Sequence, residues 1–473
     1  MVAILGANSV SGVYEVSNSL RFNDDDSPNL QRTFSSGNQT DWTWSAWVKR
    51  GNISNNNQVI FGRQNVADGS NIGKILFTSS DELKLNNKVG ASTGFEAVTF
   101  AKFRDPSAWY HIWISFDGNQ STHNDRASLY VNGVQFSWNS SSSLSAGNGH
   151  INLNLPHAVG FRAGDGGEQY DGYIAEMHFI DGNNSLNHTD FGEFDNNGVW
   201  IPKQYTGSYG TNGFYLEFKQ TGTSQNSSGM GADTSSNDNH FAVTNLASTD
   251  ITTDTCTNNF ATANPLTARY NASNIKEASL ILDAGGDMVV NSTQGFSSGK
   301  WYCELKSTIT AGHGNRKWVG IISGDSDYTN PRRASSSYTY EGVGADLRNG
   351  QAFRGGVDGD ATDISSFANN DICGLAYDAD NGLLYFYKNG TIENSGNAIN
   401  ASNALDTSLI YNFHFNQDGG GTNNGELYLN FGNPPTGFTI SSGNTDANGY
   451  GNFEYAPPSG YYALCTKNLA EFG

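Results

Sequence analysis

The sequence is poor in the residues that build helices, membrane spans and metal centres. Leucine, lysine and glutamate, all good helix formers, are scarce. No segment keeps a 3.6-residue apolar period over several turns. No apolar run approaches the ~20 residues that a membrane-spanning helix needs, and the opening MVAILGANSVSG carries no basic-then-apolar export signal. The four cysteines, Cys256, Cys303, Cys373 and Cys465, lie far apart with no CxxC pair. That spacing argues against a zinc site and is too sparse for a disulfide framework in 473 residues. Cys303 and Cys373 fall in apolar stretches, KWYCELK and DICGLAY, and read as small buried hydrophobes. Cationic residues are also few: 26 Lys and Arg against 46 Asp and Glu give a net charge of −20. Such a surface repels nucleic acid backbones and anionic membranes, so neither is expected as a partner.

What remains is strand and turn chemistry. Glycine numbers 56, about 12% against a usual ~7%, and aromatics at 12% supply core mass. Two hairpins are explicit. RASLYVNGVQFSW turns at Asn132-Gly133 and GLLYFYKNGTIEN at Asn389-Gly390; Asn-Gly between alternating runs marks a tight turn with positive φ at both residues. Each follows a strand closing on an aspartate, Asp117 in WYHIWISFDGN and Asp378 in DICGLAYDADNG, a weak internal echo. Further strands are predicted at 41–51, with Trp42, Trp44 and Ala46 on one face, and at 169–182, with Tyr173, Ala175, Met177 and Phe179 opposed to Ile174, Glu176, His178 and Ile180. The chain therefore reads as all-β: two β-sandwiches at 1–220 and 271–435, an ordered coil-rich connector at 221–270, and a coil-rich tail at 436–473.

The pieces SLRFNDDDSPNLQRTF, WTWSAWVKRG, WYHIWISFDG, LYVNGV and DGYIAEMHFIDG resemble, in order, the laminin-G/pentraxin type of concanavalin A-like jelly roll. SSGKWYCELK, KWVGIISGD, SFANNDICGLAYDADNGLLYFYKNG and LNFGN are similar to a SPRY-type sandwich. With FGEFDNNGVWIPKQYTGSYGTNGFYLEF, DTCTNNFATANPL and ALCTKNL, the whole resembles structural proteins of marine tailed bacteriophages. That resemblance implies a virion protein, made in the infected bacterial cytoplasm and displayed on the particle surface. It would be a tail fibre or appendage contacting host surface glycans, or a capsid decoration with a structural role. Its implied partners are other capsid or tail proteins and further copies of itself, a trimer by analogy with fibre proteins.

Candidate sites are weighed against turns. Asp24–Asp26 reads as a turn, because adjacent carboxylates point apart in extended chain and aspartate caps nearby N–H groups. The resemblance allows calcium on a sandwich rim, which would fall to Asp117, Asp125, Asp165 and Asp171 meeting at one edge. Asp325, Asp327, Asp358, Asp360 and Asp363 are loop carboxylates without an EF-hand pattern. For sugar, the loop SDYTNPRRASSSYTYEG offers Tyr328, Arg332, Tyr338 and Tyr340, and TGSYGTNGF offers a second aromatic loop. No Glu-x-Asp-x-x-Glu string, GxSxG or HExxH appears, and Asp171 and Glu176 have the wrong parity to pair, so catalysis is disfavoured.

Overall fold

The computed structural model describes residues 14–53, 56–64, 71–88, 94–142, 149–164, 166–269, 271–283, 288–308, 317–324, 341–354, 357–362, 364–417 and 425–473. Strands dominate, and among the described residues the one α-helix is Thr466–Phe472. The chain divides into two compact units, one ending at Thr257 and the other beginning at Asn258.

The first unit is a sandwich of two eight-stranded sheets. In one, Asp41–Arg50 lies at the centre between Tyr110–Asp117 and Gly172–Asp181. The other runs from Trp138–Ser142 through Gln58–Gln64 and Pro156–Val159 to Asn29–Thr33 and an edge strand, Ala242–Thr244. Trp42, Trp44, Ala46 and Val48 alternate into the core, where they meet Phe61, Phe77, Phe95, Phe116 and Phe179. Burying a large apolar side chain contributes roughly 2 kcal/mol, so this stripe accounts for much of the sandwich. Both Asn-Gly turns form as expected, with φ of 49° and 75° at Asn132 and Gly133, and 48° and 77° at Asn389 and Gly390. Asp24–Asp26 is a single 3-10 turn capped by Asn23.

Two features depart from simple alternation. The strand Gly172–Asp181 carries a β-bulge between Ala175 and His178, with Glu176 held at φ 48°. The extra residue reverses the side-chain parity. Ile174, expected opposite Met177 and Phe179, shares the core face with them. The Glu176 carboxylate accepts hydroxyl protons from Tyr14 at 2.8 Å and Tyr215 at 2.7 Å, which anchors the bulge. Secondly, the outer face of the same sheet is also covered. Trp113, Tyr130 and Ile180 pack under Phe191, Tyr205, Tyr209 and Tyr215, while Lys49 pairs with Asp254 at 2.8 Å, both fully buried.

The stretch 221–270 is divided between the units. Ala242–Thr244 and Ile251–Thr252 extend the two sheets of the first unit, so residues up to Thr257 are sandwich and not spacer. In the second unit an eight-stranded sheet, centred on Leu427–Asn430, Lys300–Ser307 and Ile372–Asp378, faces a six-stranded sheet containing Tyr411–Gln417 and Lys317–Ser323. Trp301, Cys303, Leu305, Cys373, Leu375 and Tyr377 meet Val319, Ile321, Phe413 and Phe415 in its core. All four cysteines are buried and unpaired. The tail adds a parallel strand, Tyr462–Ala463, beside Lys300–Ser307. It is anchored by the buried Glu304 carboxylate, which accepts from the backbone N–H groups of Glu454 at 2.9 Å and Tyr455 at 2.8 Å.

Candidate functional site

On the first unit a groove of about 540 Å³ opens over the strand Asn29–Thr33 and the edge strand Ala242–Thr244. Gln31, Arg32 and Thr33 line one side, and Gln225, Asp238 and His240 the other. The loop leading into the edge strand is built around Asp233. Its Oδ1 accepts from the N–H groups of Tyr215 at 2.8 Å and Ser235 at 2.9 Å, and its Oδ2 from that of Asn239 at 2.8 Å. Aspartate suits this role because one carboxylate can gather several backbone donors in a tight loop. Asn239 in turn donates to the carbonyls of Thr211 at 2.9 Å and Gly213 at 2.8 Å.

This scaffold fixes the groove's polar groups. Arg32 donates through Nη2 to Asn239 Oδ1 and lies over the Phe34 ring, 5.6 Å from its centroid. Partial burial lowers its pKa from the ordinary value, opposed by the field of Asp233. His240 accepts the Asp233 N–H at Nδ1, 3.0 Å. A neutral imidazole holding a donor at Nδ1 carries its own proton on Nε2, here 3.6 Å from Asp238 Oδ1. Gln225 donates to the His240 carbonyl at 2.8 Å. The lining thus offers guanidinium, imidazole N–H, amide, hydroxyl and a single carboxylate, with Arg32, His240 and Gln225 held by hydrogen bonds. That set can hold a hydroxyl-rich ligand by paired donors and acceptors. Retaining or inverting glycoside hydrolysis uses two carboxylates, and the groove contributes one.

The expected rim site does not assemble. Asp117 pairs across from Asp41 at the start of the central ten-residue strand, while Asp171 precedes Gly172, which pairs with Arg50 at its end. At ~3.3 Å per residue the strand separates them by about 30 Å. Asp117 is spent on its own turn, accepting from Asn119 N–H at 3.0 Å and Gln120 Nε2 at 2.6 Å. Asp125 sits in the 3-10 turn His123–Asp125, Asp171 is fully buried, and Asp165 lies outside the described residues. Among the described residues no group of three or more His, Cys, Asp or Glu side chains is placed to hold a metal ion. Tyr328, Arg332, Tyr338 and Tyr340 also lie outside the described residues, as do Asp325, Asp327 and the side chains of Asp358, Asp360 and Asp363. The second aromatic loop is internal: Tyr209 stacks on His178 and Phe214 is fully buried.

One buried contact has the composition of a nucleophile pair. Ser45 Oγ lies 2.8 Å from His111 Nε2. However, Trp200 Nε1 donates to His111 Nδ1 at 3.0 Å, so the neutral ring has its proton on Nε2 and donates to the serine. That polarity is the reverse of what activates a hydroxyl, and burial drops the His111 pKa to about 3.

Residues 23–188 match the laminin-G-type family model described as the concanavalin A-like lectin/glucanases superfamily. Similar solved structures include the SPRY domain of human HERC1, at 16% identity over 35% of this chain and 96% of that one, with a TM-score of 0.27. Another is a heptameric SAP-like pentraxin from Limulus polyphemus, at 17% identity over 36% of this chain and 78% of that one, with a TM-score of 0.27. No curated protein matches the chain. A concanavalin A-like domain of this type fits a glycan-binding role.

Proposed function

We propose that this chain is a non-enzymatic glycan-binding protein displayed on a bacteriophage particle, a tail-fibre or appendage adhesin whose first unit contacts host surface saccharide. The observation that carries the reading is the groove: polar groups of both hydrogen-bonding senses, set within a unit whose residues 23–188 match a lectin-type family model. The viral setting rests on the sequence resemblance to marine phage structural proteins. On this reading its partners are other virion proteins, further copies of itself and the host glycan.

A glycan array run on the full chain with and without calcium tests it. Saccharide binding that falls at least tenfold in R32A, with no release of reducing ends from bound polysaccharide, supports the proposal. No binding on the array, or sugar release, overturns it. Labelling the protein on intact particles by electron microscopy tests the virion placement, and its failure to appear at the tail would remove the adhesin assignment.

A further inference from the structure

We propose that the groove over Asn29–Thr33 takes an acidic saccharide, a sugar carrying a carboxylate or sulfate group, and that Arg32 and the His240 Nε2 proton bind that group. This names the ligand class of the groove and rests on the glycan-binding reading. The lining has no stacking platform: among the described residues no Trp, Tyr or Phe borders it. A neutral sugar ring gains from laying its C–H face on an aromatic surface, and that contribution is missing here. Affinity has to come from polar contacts, and charge-assisted hydrogen bonds are roughly twice as strong as neutral ones. The chain's net charge of −20 works against any anion. At physiological ionic strength, however, exposed charges more than about 8 Å apart are largely screened. The groups in contact then set the affinity, and the distant charge mainly slows approach.

The groove's cation is short of an anion. Arg32 donates through Nη2 to the Asn239 side-chain oxygen, and its Nη1 meets no acceptor among the described residues. It forms no ion pair among them either. Asp233, the carboxylate whose field reaches it, is taken up by three backbone N–H groups. Partial burial has already removed water from the guanidinium, so an anion that completes its donor set offsets a desolvation that folding imposed. His240 is the second donor. Its Nδ1 accepts the Asp233 N–H at 3.0 Å, which leaves the proton on Nε2. Asp238 Oδ1 lies 3.6 Å from Nε2, too long for a hydrogen bond, and the Asp238 side chain is 88% exposed. A carboxylate therefore already stands before the imidazole proton without being held there, and it competes with the acidic group of a ligand. Hydrogen bonds run from Arg32 through Asn239 and Asp233 to His240, so one loop sets both donors.

The full chain and its D238N, H240A and R32A variants are compared on an array of matched oligosaccharides: glucose against glucuronic acid, and galactose against galacturonic acid and sulfated galactose. The strongest pair is then titrated by calorimetry. We expect the acidic member to bind at least tenfold tighter than its neutral match, and the carboxylated and sulfated arms to show which group is preferred. R32A should weaken acidic binding at least tenfold and H240A about fivefold, while D238N should tighten it about threefold. Asp238 is on the surface, so D238N keeps the wild-type circular dichroism and decides the matter even if R32A fails to fold. Neutral sugars bound as tightly as acidic ones, with binding still lost in R32A, overturn the acidic assignment and leave the groove reading intact. Acidic binding that D238N weakens overturns it as well. Acidic binding untouched by R32A places the ligand elsewhere and removes the groove with it. No glycan binding by the wild type removes both readings.

Discussion

Asp254 offers the sharpest test of how the first unit is held together, because it comes from a stretch that composition marks as connector. Its carboxylate is fully buried, 2.8 Å from the equally buried Lys49 ammonium, and accepts the Trp109 indole proton at 3.2 Å. Asp254→Ala leaves Lys49 an ammonium without its anion in a site where burial already lowers its pKa. Breaking such a pair costs about 3–5 kcal/mol. The lysine can escape by deprotonating, and this sets a ceiling: from an unfolded pKa of about 10.4 down to pH 7 is roughly 3.4 units, or about 4.6 kcal/mol. The sign of the pH dependence follows. In the variant the folded state binds one proton fewer than the unfolded state, so stability rises with pH, and the deficit against wild type should shrink by up to about 1.4 kcal/mol per unit from pH 7 toward 9. Denaturant unfolding followed by tryptophan fluorescence reports mainly on this unit, which holds seven of the nine tryptophans. Adding Lys49→Met to Asp254→Ala should recover most of the loss, because the stranded charge is gone. A deficit below about 1 kcal/mol, or one that grows with pH, would refute the argument.

Other outcomes follow from equally specific contacts. Burial pushes the Glu304 pKa up to about 7 despite four hydrogen-bond donors; its folded pKa lies above the unfolded one, so it contributes stability below about pH 4.5 that is lost as pH rises toward 7. Unfolding of the second unit, read by denaturant titration between pH 5 and 7, should show that decline, and Glu304→Gln should flatten it. Gly133→Ala should cost about 2 kcal/mol or more, since the residue sits at φ 75° against the Trp200 ring; an unchanged unfolding midpoint would contradict the turn geometry. Asp171→Asn should leave any calcium response of glycan binding where it was, because its buried carboxylate is a strand length away from Asp117.

What could be read from the residues was local. Both Asn-Gly turns are written in two adjacent letters whose positive φ values almost force the hairpin, and the Trp42, Trp44, Ala46 stripe shows its period directly. The bulge at Glu176 is not visible in that way. It is a single inserted residue inside an apolar run, and the hydroxyls of Tyr14 and Tyr215, 162 and 39 residues away in sequence, hold it in place. The same limit hid the groove. Arg32 and Asn239 are 207 residues apart, and the loop 233–240 reads as polar turn until Tyr215 and Gly213 give Asp233 and Asn239 something to bind.

The failure of the rim aspartates has a related cause. Carboxylates that look available in a Gly/Asn-rich chain are the cheapest acceptors for its many turn N–H groups. At the open end of the central strand, Asp41 accepts from Asn38, Thr40 and Asn184, and Asp181 from Asn38, Asn152 and Asn212. Each aspartate there is matched by asparagine amides and backbone donors that satisfy it without a cation. In such a composition, abundant Asp beside abundant Asn predicts internal capping first. A binding group is better sought where polar side chains from distant parts of the chain meet at a groove, as Arg32 and His240 do.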